Sequence, residues 1–274
     1  MSSVAQKYLR TSKMPHIWCP GCGNGIITQA VLRAIEEVGY DPSEVVIVSG
    51  IGCSSRAPGY LDFNTLHTTH GRALSFATGV KHGNPNLKVI VLTGDGDSSA
   101  IGGNHLIHAC RRNIDLTTIV FNNNVYGMTS GQFSPLTPTG SYATTAPYGN
   151  IDRNFDLCNL AIAAGASFVA RSTSYHVNHL KDMIVSGLNN TGFSLIETMT
   201  HCPTYFGRKN RMGGPVEMLK KQQEMGVLVQ AATRMTPEQL EGKYLIGELH
   251  NQPVAEFCEE YAKVVERMSS TGGN

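Results

Sequence analysis

Hydrophobic positions along the chain alternate between a helical period and short unbroken runs. After Cys22, Ile26, Ile27, Ala30, Val31, Ala34, Ile35 and Val38 recur at three- and four-residue intervals, one face of a helix, and Gly39 stops it. Residues 45–48 are instead a continuous aliphatic run, the mark of a strand buried on both faces, and they end at Gly50-Ile51-Gly52-Cys53. The pattern predicts a helix at 72–81 and a central strand at 88–92 running into Gly94-Asp95-Gly96-Asp97. A helix at 100–112 and a strand at 116–121 entering Asn122-Asn123-Asn124 follow. Helices at 155–165 and 176–188 then alternate with strands at 168–170 and 194–198.

Strands alternating with helices predict an α/β fold, a largely parallel sheet flanked by helices on both faces. Two stretches, 127–150 and 201–214, carry no period; irregular loops this long inside a domain are usually functional. Amphipathic patterns at 215–230 and 253–268 predict a helical C-terminal extension over 215–274, set against a main domain over 1–214.

Composition narrows the classes. The 274 residues suffice for one large α/β domain or two small ones. Charged residues make up 16%, below the usual quarter or so, which fits either a large core or a surface partly taken up by a subunit interface. A net charge of +1, with cations scattered apart from Arg208, Lys209 and Arg211, argues against nucleic acid as a partner. Residues 1–13 are polar, unlike a signal peptide, and no apolar run approaches the roughly 18 residues of a membrane span. The expectation is a cytoplasmic protein with no membrane partner. Seven cysteines in so long a chain are not a small disulfide framework, and a close pair in a reducing compartment is more often a metal or redox site.

Candidate chemistry lies where strands end, because open parallel sheets bind ligands beyond the carboxyl ends of their strands. In Gly94-Asp95-Gly96-Asp97 the glycines let backbone approach a phosphate, and an aspartate oxygen is a hard ligand suited to Mg²⁺. Amide and carbonyl oxygens of Asn122 to Gly127 could complete an octahedral site. Taken singly, the first reads more readily as a turn and the second as a loop that tolerates left-handed conformations. No Gly-Lys-Ser/Thr loop and no Gly-x-Gly-x-x-Gly fingerprint follows these strands, which removes the two commonest nucleotide motifs.

Cys19-Pro-Gly-Cys22 admits three readings: a zinc half-site, a redox dithiol, or two ligands of an iron–sulfur cluster. Cys53 and Cys202 fall in loops after strands, whereas Cys110, Cys158 and Cys258 sit in helical patterns as ordinary core residues.

Gly94-Asp95-Gly96 closing one strand and Asn122-Asn123 closing the next, thirty residues from Gly94 to Asn123 inclusive, resemble the thiamine diphosphate motif. The resemblance implies Mg²⁺ on Asp95, the Asn123 side chain and the Val125 carbonyl, with Gly96 and Asp97 at the diphosphate.

Trp18-Cys19-Pro20-Gly21-Cys22-Gly23, Gly50-Ile51-Gly52-Cys53-Ser54-Ser55 and His67-Thr68-Thr69-His70-Gly71-Arg72 extend the likeness. So do the stretch from Tyr126 to Pro135 and His201-Cys202-Pro203-Thr204. Together they resemble the beta subunit of 2-oxoacid:ferredoxin oxidoreductases over roughly residues 12–215. Ile17-Trp18-Cys19 and Gly23-Asn24-Gly25 look most like the 2-oxoglutarate branch.

The family resemblance implies a thiamine diphosphate-binding fold with a [4Fe–4S] cluster on Cys19, Cys22, Cys53 and Cys202. It places Gly52, Cys53, His70, Gly71, Gly94, Tyr126 and Gly127 at the cofactor beside the residues above. His70 and Met128 become candidates for contact with cofactor or substrate. The implied reaction is coenzyme A-dependent oxidative decarboxylation of a 2-oxoacid, 2-oxoglutarate to succinyl-CoA, with electrons passed to ferredoxin, or its carboxylating reverse. The implied assembly is an (αβ)₂ heterotetramer whose alpha subunit supplies the catalytic glutamate. Where some relatives carry a lysine this chain has Ser130, so a cation for the distal carboxylate must come from elsewhere, with the partner subunit as the expected source. The competing readings are a thiamine-dependent decarboxylase or synthase without a cluster, and a zinc-stapled scaffold subunit.

Overall fold

The structure, a computed structural model, describes residues 3–271. Helices α1 to α7 are Ser3–Tyr8, Asn24–Val38, Ala73–Gly83, Asp95–Ser99, Gly103–Arg112, Leu157–Ala163 and Val177–Asn189. Strands β1 to β6 are Val45–Ser49, Asn64–His67, Lys88–Gly94, Thr117–Asn122, Phe168–Thr173 and Ser194–Met199. The chain continues through α8 Pro215–Met225, β7 Gly226–Leu228, α9 Val229–Ala232, α10 Pro237–Leu240, β8 Tyr244–Asn251 and α11 Phe257–Thr271.

All eight strands form one sheet in the order β2-β1-β3-β4-β6-β5-β8-β7. The six from β2 to β5 in this order pair in parallel. Alternation along them explains their continuous apolar runs. Ile47, Ile90, Leu92, Ile119 and Phe121 pack on one face beneath α2 and α7. Val48, Val89, Val91 and Val120 pack on the other, against residues of α3, α5 and α6. With both faces covered, a central strand is buried at every position, as β4 is throughout, its polar Thr117, Thr118 and Asn122 included. Helix α2 ends as its pattern predicts: Gly39 takes φ 75° and its N–H bonds to the Ile35 carbonyl at 3.1 Å.

Two expectations change. The helix expected from residue 100 begins at Gly103, because the short α4 follows β3 without a loop and a turn intervenes. The C-terminal segment is helical only in part. Helix α8 stops at Met225 rather than 230, and β8 pairs antiparallel with β5, carrying the sheet onward past residue 214. The expected boundary at 214 therefore does not separate the segment 215–274 from the sheet. The β8 sequence, half exposed and broken by Gly247 at φ 129°, shows no clear two-residue period, so its strand character was masked.

From β1 the chain moves outward to β2, then returns to β3 on the opposite side of β1. The loops after β1 and β3 consequently diverge, opening a crevice at the carboxyl edge of the sheet. Among the described residues no helix is long and apolar enough to cross a membrane.

Candidate active site

The crevice between β1, β3 and β4 is a cavity, and nearly every residue expected at the cofactor lines it. Gly52, Cys53 and His70 stand on one side, Gly94, Asp95, Gly96 and Asp97 on the second, Asn123, Val125, Tyr126 and Gly127 on the third. Met128 also lines it. Gly71 does not; its N–H instead donates to Asp97 Oδ1 at 2.7 Å.

The two aspartates have different surroundings. Asp95 is 3% exposed, and burial pushes its carboxyl up to about 7, opposed by hydrogen bonds from Ser134 and the Gly96 backbone. A buried carboxylate in this state gains strongly from a divalent cation. Asp97 is braced: Thr93 Oγ1 donates to its Oδ2 at 2.8 Å, and the Gly71 and Ile51 N–H groups and His70 Nδ1 converge on Oδ1. Its carboxylate therefore ties the loops after β1 and β2 to β3.

Close approach explains two glycines. A Cβ on Gly50 would overlap the Asp97 carboxylate, and one on Gly96 would overlap the Tyr126 ring. The Tyr126 hydroxyl donates to the Gly96 carbonyl at 3.2 Å, and burial pushes it up to about 12.

The asparagine run splits between two sides. Asn123 and Val125 face the cofactor cavity. Asn122 and Asn124 line a second, larger cavity of about 880 Å³, where Asn122 Nδ2 donates to Glu197 at 2.8 Å. Asn124 has φ 64°, a left-handed conformation that asparagine tolerates.

The four loop cysteines gather beside the cavity. A Cβ on Gly127 would stand 3.5 Å from Cys53 Sγ and 3.7 Å from Cys202 Sγ. Burial pushes Cys22 up to about 11 and Cys53 up to about 12, and each also feels Cys19 and Cys202. Cross-links hold the group together. Trp18 Nε1 donates to the Cys53 carbonyl at 2.7 Å, and His201 Nε2 donates to the Gly21 carbonyl at 2.8 Å. Burial lowers the His201 pKa, against that hydrogen bond, and keeps the ring neutral for this role. The chain after Cys202 makes a π-helical turn, Pro203–Gly207.

Among the described residues no three His, Cys, Asp or Glu side chains close around one point where an ion would sit. Neither implied site requires that. The magnesium set holds one carboxylate, one amide and one carbonyl, and a four-iron cluster takes each thiolate on a different iron. The donors present fit both groups: oxygens for a hard cation and converging thiols for iron. Ser54 Oγ, which lines the cavity region and has no protein partner, adds a free polar atom beside them.

Sequence reading gave no role to four residues here. Ser134 bonds to Asp95 from 39 positions away, and Ser54 and Ser55 sit in the Cys53 loop as buried hydroxyls without protein partners. Arg56 brings Nη2 to 3.9 Å from Met128 Sδ. For Arg56 a signal existed, a cation three residues after Cys53; for Ser134 the irregular loop hid it.

Residues 50–198 match the family described as thiamine pyrophosphate enzyme, C-terminal TPP binding domain. The chain is 54% identical over 263 residues to 2-oxoglutarate synthase subunit KorB of Methanothermobacter thermautotrophicus, covering 96% of this chain and 92% of that protein. It is 52% identical over 266 residues to the subunit of the same name from Methanocaldococcus jannaschii, covering 97% and 98%. The fold superposes with a TM-score of 0.87 on 2-oxoglutarate:ferredoxin oxidoreductase from Magnetococcus marinus, solved with 2-oxoglutarate, coenzyme A and succinyl-CoA bound. That match is 30% identical and covers 98% of this chain and 92% of the other. The chain therefore belongs to the 2-oxoacid:ferredoxin oxidoreductase family, as a thiamine-pyrophosphate-binding beta subunit of the 2-oxoglutarate synthase type.

Proposed function

We propose that this subunit, in an (αβ)₂ assembly with an alpha subunit in the cytoplasm, interconverts 2-oxoglutarate and succinyl-CoA, exchanging electrons with ferredoxin. The observation that carries the reading is the contact at Gly127, where two of the four clustered cysteines adjoin the cavity holding Asp95 and Asn123. Electron transfer needs such adjacency, and a scaffold does not.

Asp95, Asn123 and the Val125 carbonyl would hold Mg²⁺, with Gly96 and the main chain of Asp97 against the diphosphate. Cys19, Cys22, Cys53 and Cys202 would hold a [4Fe–4S] cluster, a carrier of single electrons. Thiamine diphosphate, when bound, supplies the nucleophilic carbon and the electron sink. The chain's own residues do the positioning. Asp97 fixes His70: with a carboxylate as partner, Nδ1 carries a hydrogen toward Asp97, and the ring so held lines the cavity where cofactor or substrate would meet it. Tyr126 packs edge-on to His70 at 6.1 Å and closes over Gly96, excluding water there. Met128 lines the substrate side, and Arg56 beside it offers a guanidinium to the distal carboxylate, so the cation need not come from the partner.

Metal, sulfide and cofactor analysis of anaerobically purified protein, together with its partner, tests the reading. The expected content per chain is about four iron, about four sulfide and about one thiamine diphosphate. Zinc without sulfide would overturn it. Faster coenzyme A-dependent ferredoxin reduction with pyruvate than with 2-oxoglutarate would overturn the substrate assignment alone.

A further inference from the structure

We propose that the turn at residues 134–137 is a clamp that positions both halves of the magnesium site, with Ser134 and Thr137 as its positioning residues. The inference rests on the assignment of Mg²⁺ to Asp95, Asn123 and Val125, and extends it to residues that touch neither metal nor cofactor.

The hydrogen bonds have a fixed direction. Ser134 Oγ accepts from the Leu136 N–H at 3.3 Å, so its one hydrogen is free to go to Asp95 Oδ2. Thr137 Oγ1 accepts from the Ser134 N–H at 2.8 Å and gives its hydrogen to the Asn124 carbonyl at 2.6 Å. Asn124 stands between Asn123 and Val125. One turn thus grips the carboxylate at the end of β3 and the carbonyl in the middle of the ligand loop after β4.

The turn itself is locked. Its ends are joined by the Thr137 N–H to the Ser134 carbonyl at 3.0 Å, and Asn150 Nδ2 donates to the Thr137 carbonyl at 2.9 Å. Ser134 is 1% exposed and Thr137 fully buried, so water cannot replace either hydroxyl. The left-handed Asn124 needs this hold: its φ of 64° turns Asn123 and Val125 toward the cavity, and the clamp fixes that turn.

Residues that orient metal ligands through hydrogen bonds usually change metal affinity 10- to 100-fold when removed. The experiment is calorimetric titration of Mg²⁺ at saturating thiamine diphosphate, on the full chain purified with its partner subunit. Ser134→Ala should raise the Mg²⁺ dissociation constant about 10- to 100-fold, with one cofactor per chain recovered at high Mg²⁺. Thr137→Val should shift it in the same direction, while Ser134→Thr and Thr137→Ser, which keep the hydroxyls, should stay near wild type. Wild-type Mg²⁺ affinity in both Ser134→Ala and Thr137→Val overturns the clamp. So does loss of cofactor that no Mg²⁺ concentration restores, since that marks a folding role. Asp95→Ala separates the two ideas: full Mg²⁺-dependent cofactor binding in that variant would remove the metal assignment itself, whereas its loss leaves the clamp to be judged by the other variants.

Discussion

The indole N–H of Trp18 donates to the carbonyl of Cys53 across 35 residues of chain, at 2.7 Å. It ties the Cys19–Cys22 knuckle to the loop that ends β1, two segments with no strand pairing between them. The ring, which is the chain's one tryptophan, also stacks edge-on against Tyr60 at 5.4 Å. The knuckle thus reaches the cofactor cavity through a side chain rather than through the sheet.

Trp18→Phe keeps most of the packing and removes the N–H, leaving the Cys53 carbonyl only the longer bond from the Arg56 N–H at 3.3 Å, at a cost of about 1 kcal/mol. The knuckle should loosen. Visible absorbance of the purified protein should bleach several-fold faster in air than wild type, with thiamine diphosphate content unchanged. Equal bleaching rates would show that the hydrogen bond does not hold the knuckle.

How much of this was legible in the sequence follows from the physics of each part. The central strands were legible because both faces are buried, so Val89, Ile90, Val91 and Leu92 leave no doubt about period or depth. The strand-end motifs were legible because glycine is forced wherever backbone meets a side chain, as at Gly96 under Tyr126. Strand β2 was not, since its four residues are half exposed at the sheet edge and carry no alternation. The bracing role of Asp97 was not either, because three of its partners, Ile51, His70 and Gly71, come from other loops and leave no trace in local spacing.

Gly96→Ala puts a methyl into the Tyr126 ring, which lies against the backbone and cannot move without leaving its hydrogen bond to the Gly96 carbonyl. The variant should fold but retain little thiamine diphosphate after gel filtration. Tyr126→Phe removes the same 3.2 Å hydrogen bond without the clash and should lose only about 0.5–1.5 kcal/mol of stability. Equal cofactor retention in the two variants would mean the close approach at Gly96 has no bearing on the site.

The larger cavity rests on a buried ion pair. Arg171 Nε donates to Glu197 Oε2 at 2.7 Å and its Nη2 reaches Asp156 at 3.0 Å, while Asn122 Nδ2 at 2.8 Å and the Cys158 thiol at 3.3 Å also donate to Glu197. Arg171→Met leaves Glu197, 4% exposed, without its countercharge, and should destabilise the protein by about 3–5 kcal/mol. The double replacement Arg171→Met with Glu197→Gln should recover most of that. Chemical denaturation of the three proteins checks it; a single variant as stable as wild type would show that the pair contributes nothing.

Arg208, Lys209 and Arg211 are exposed just beyond the π-helical turn that follows Cys202, at the edge of the cysteine group. An isolated trio of surface cations is ordinarily a solvated face. Its position beside the implied electron exit gives it a further use, because an acidic carrier approaching that edge would meet positive charge first. Reversing all three to glutamate changes the local charge by about six units, since each site goes from +1 to −1. Reduction of ferredoxin should slow about tenfold or more at low ionic strength, and the difference should shrink at 0.5 M salt, where screening is nearly complete over one side-chain length. Reduction of a small neutral dye should be unchanged, because it is not steered. Ferredoxin rates equal to wild type at every ionic strength would place the docking surface elsewhere on the subunit or on its partner.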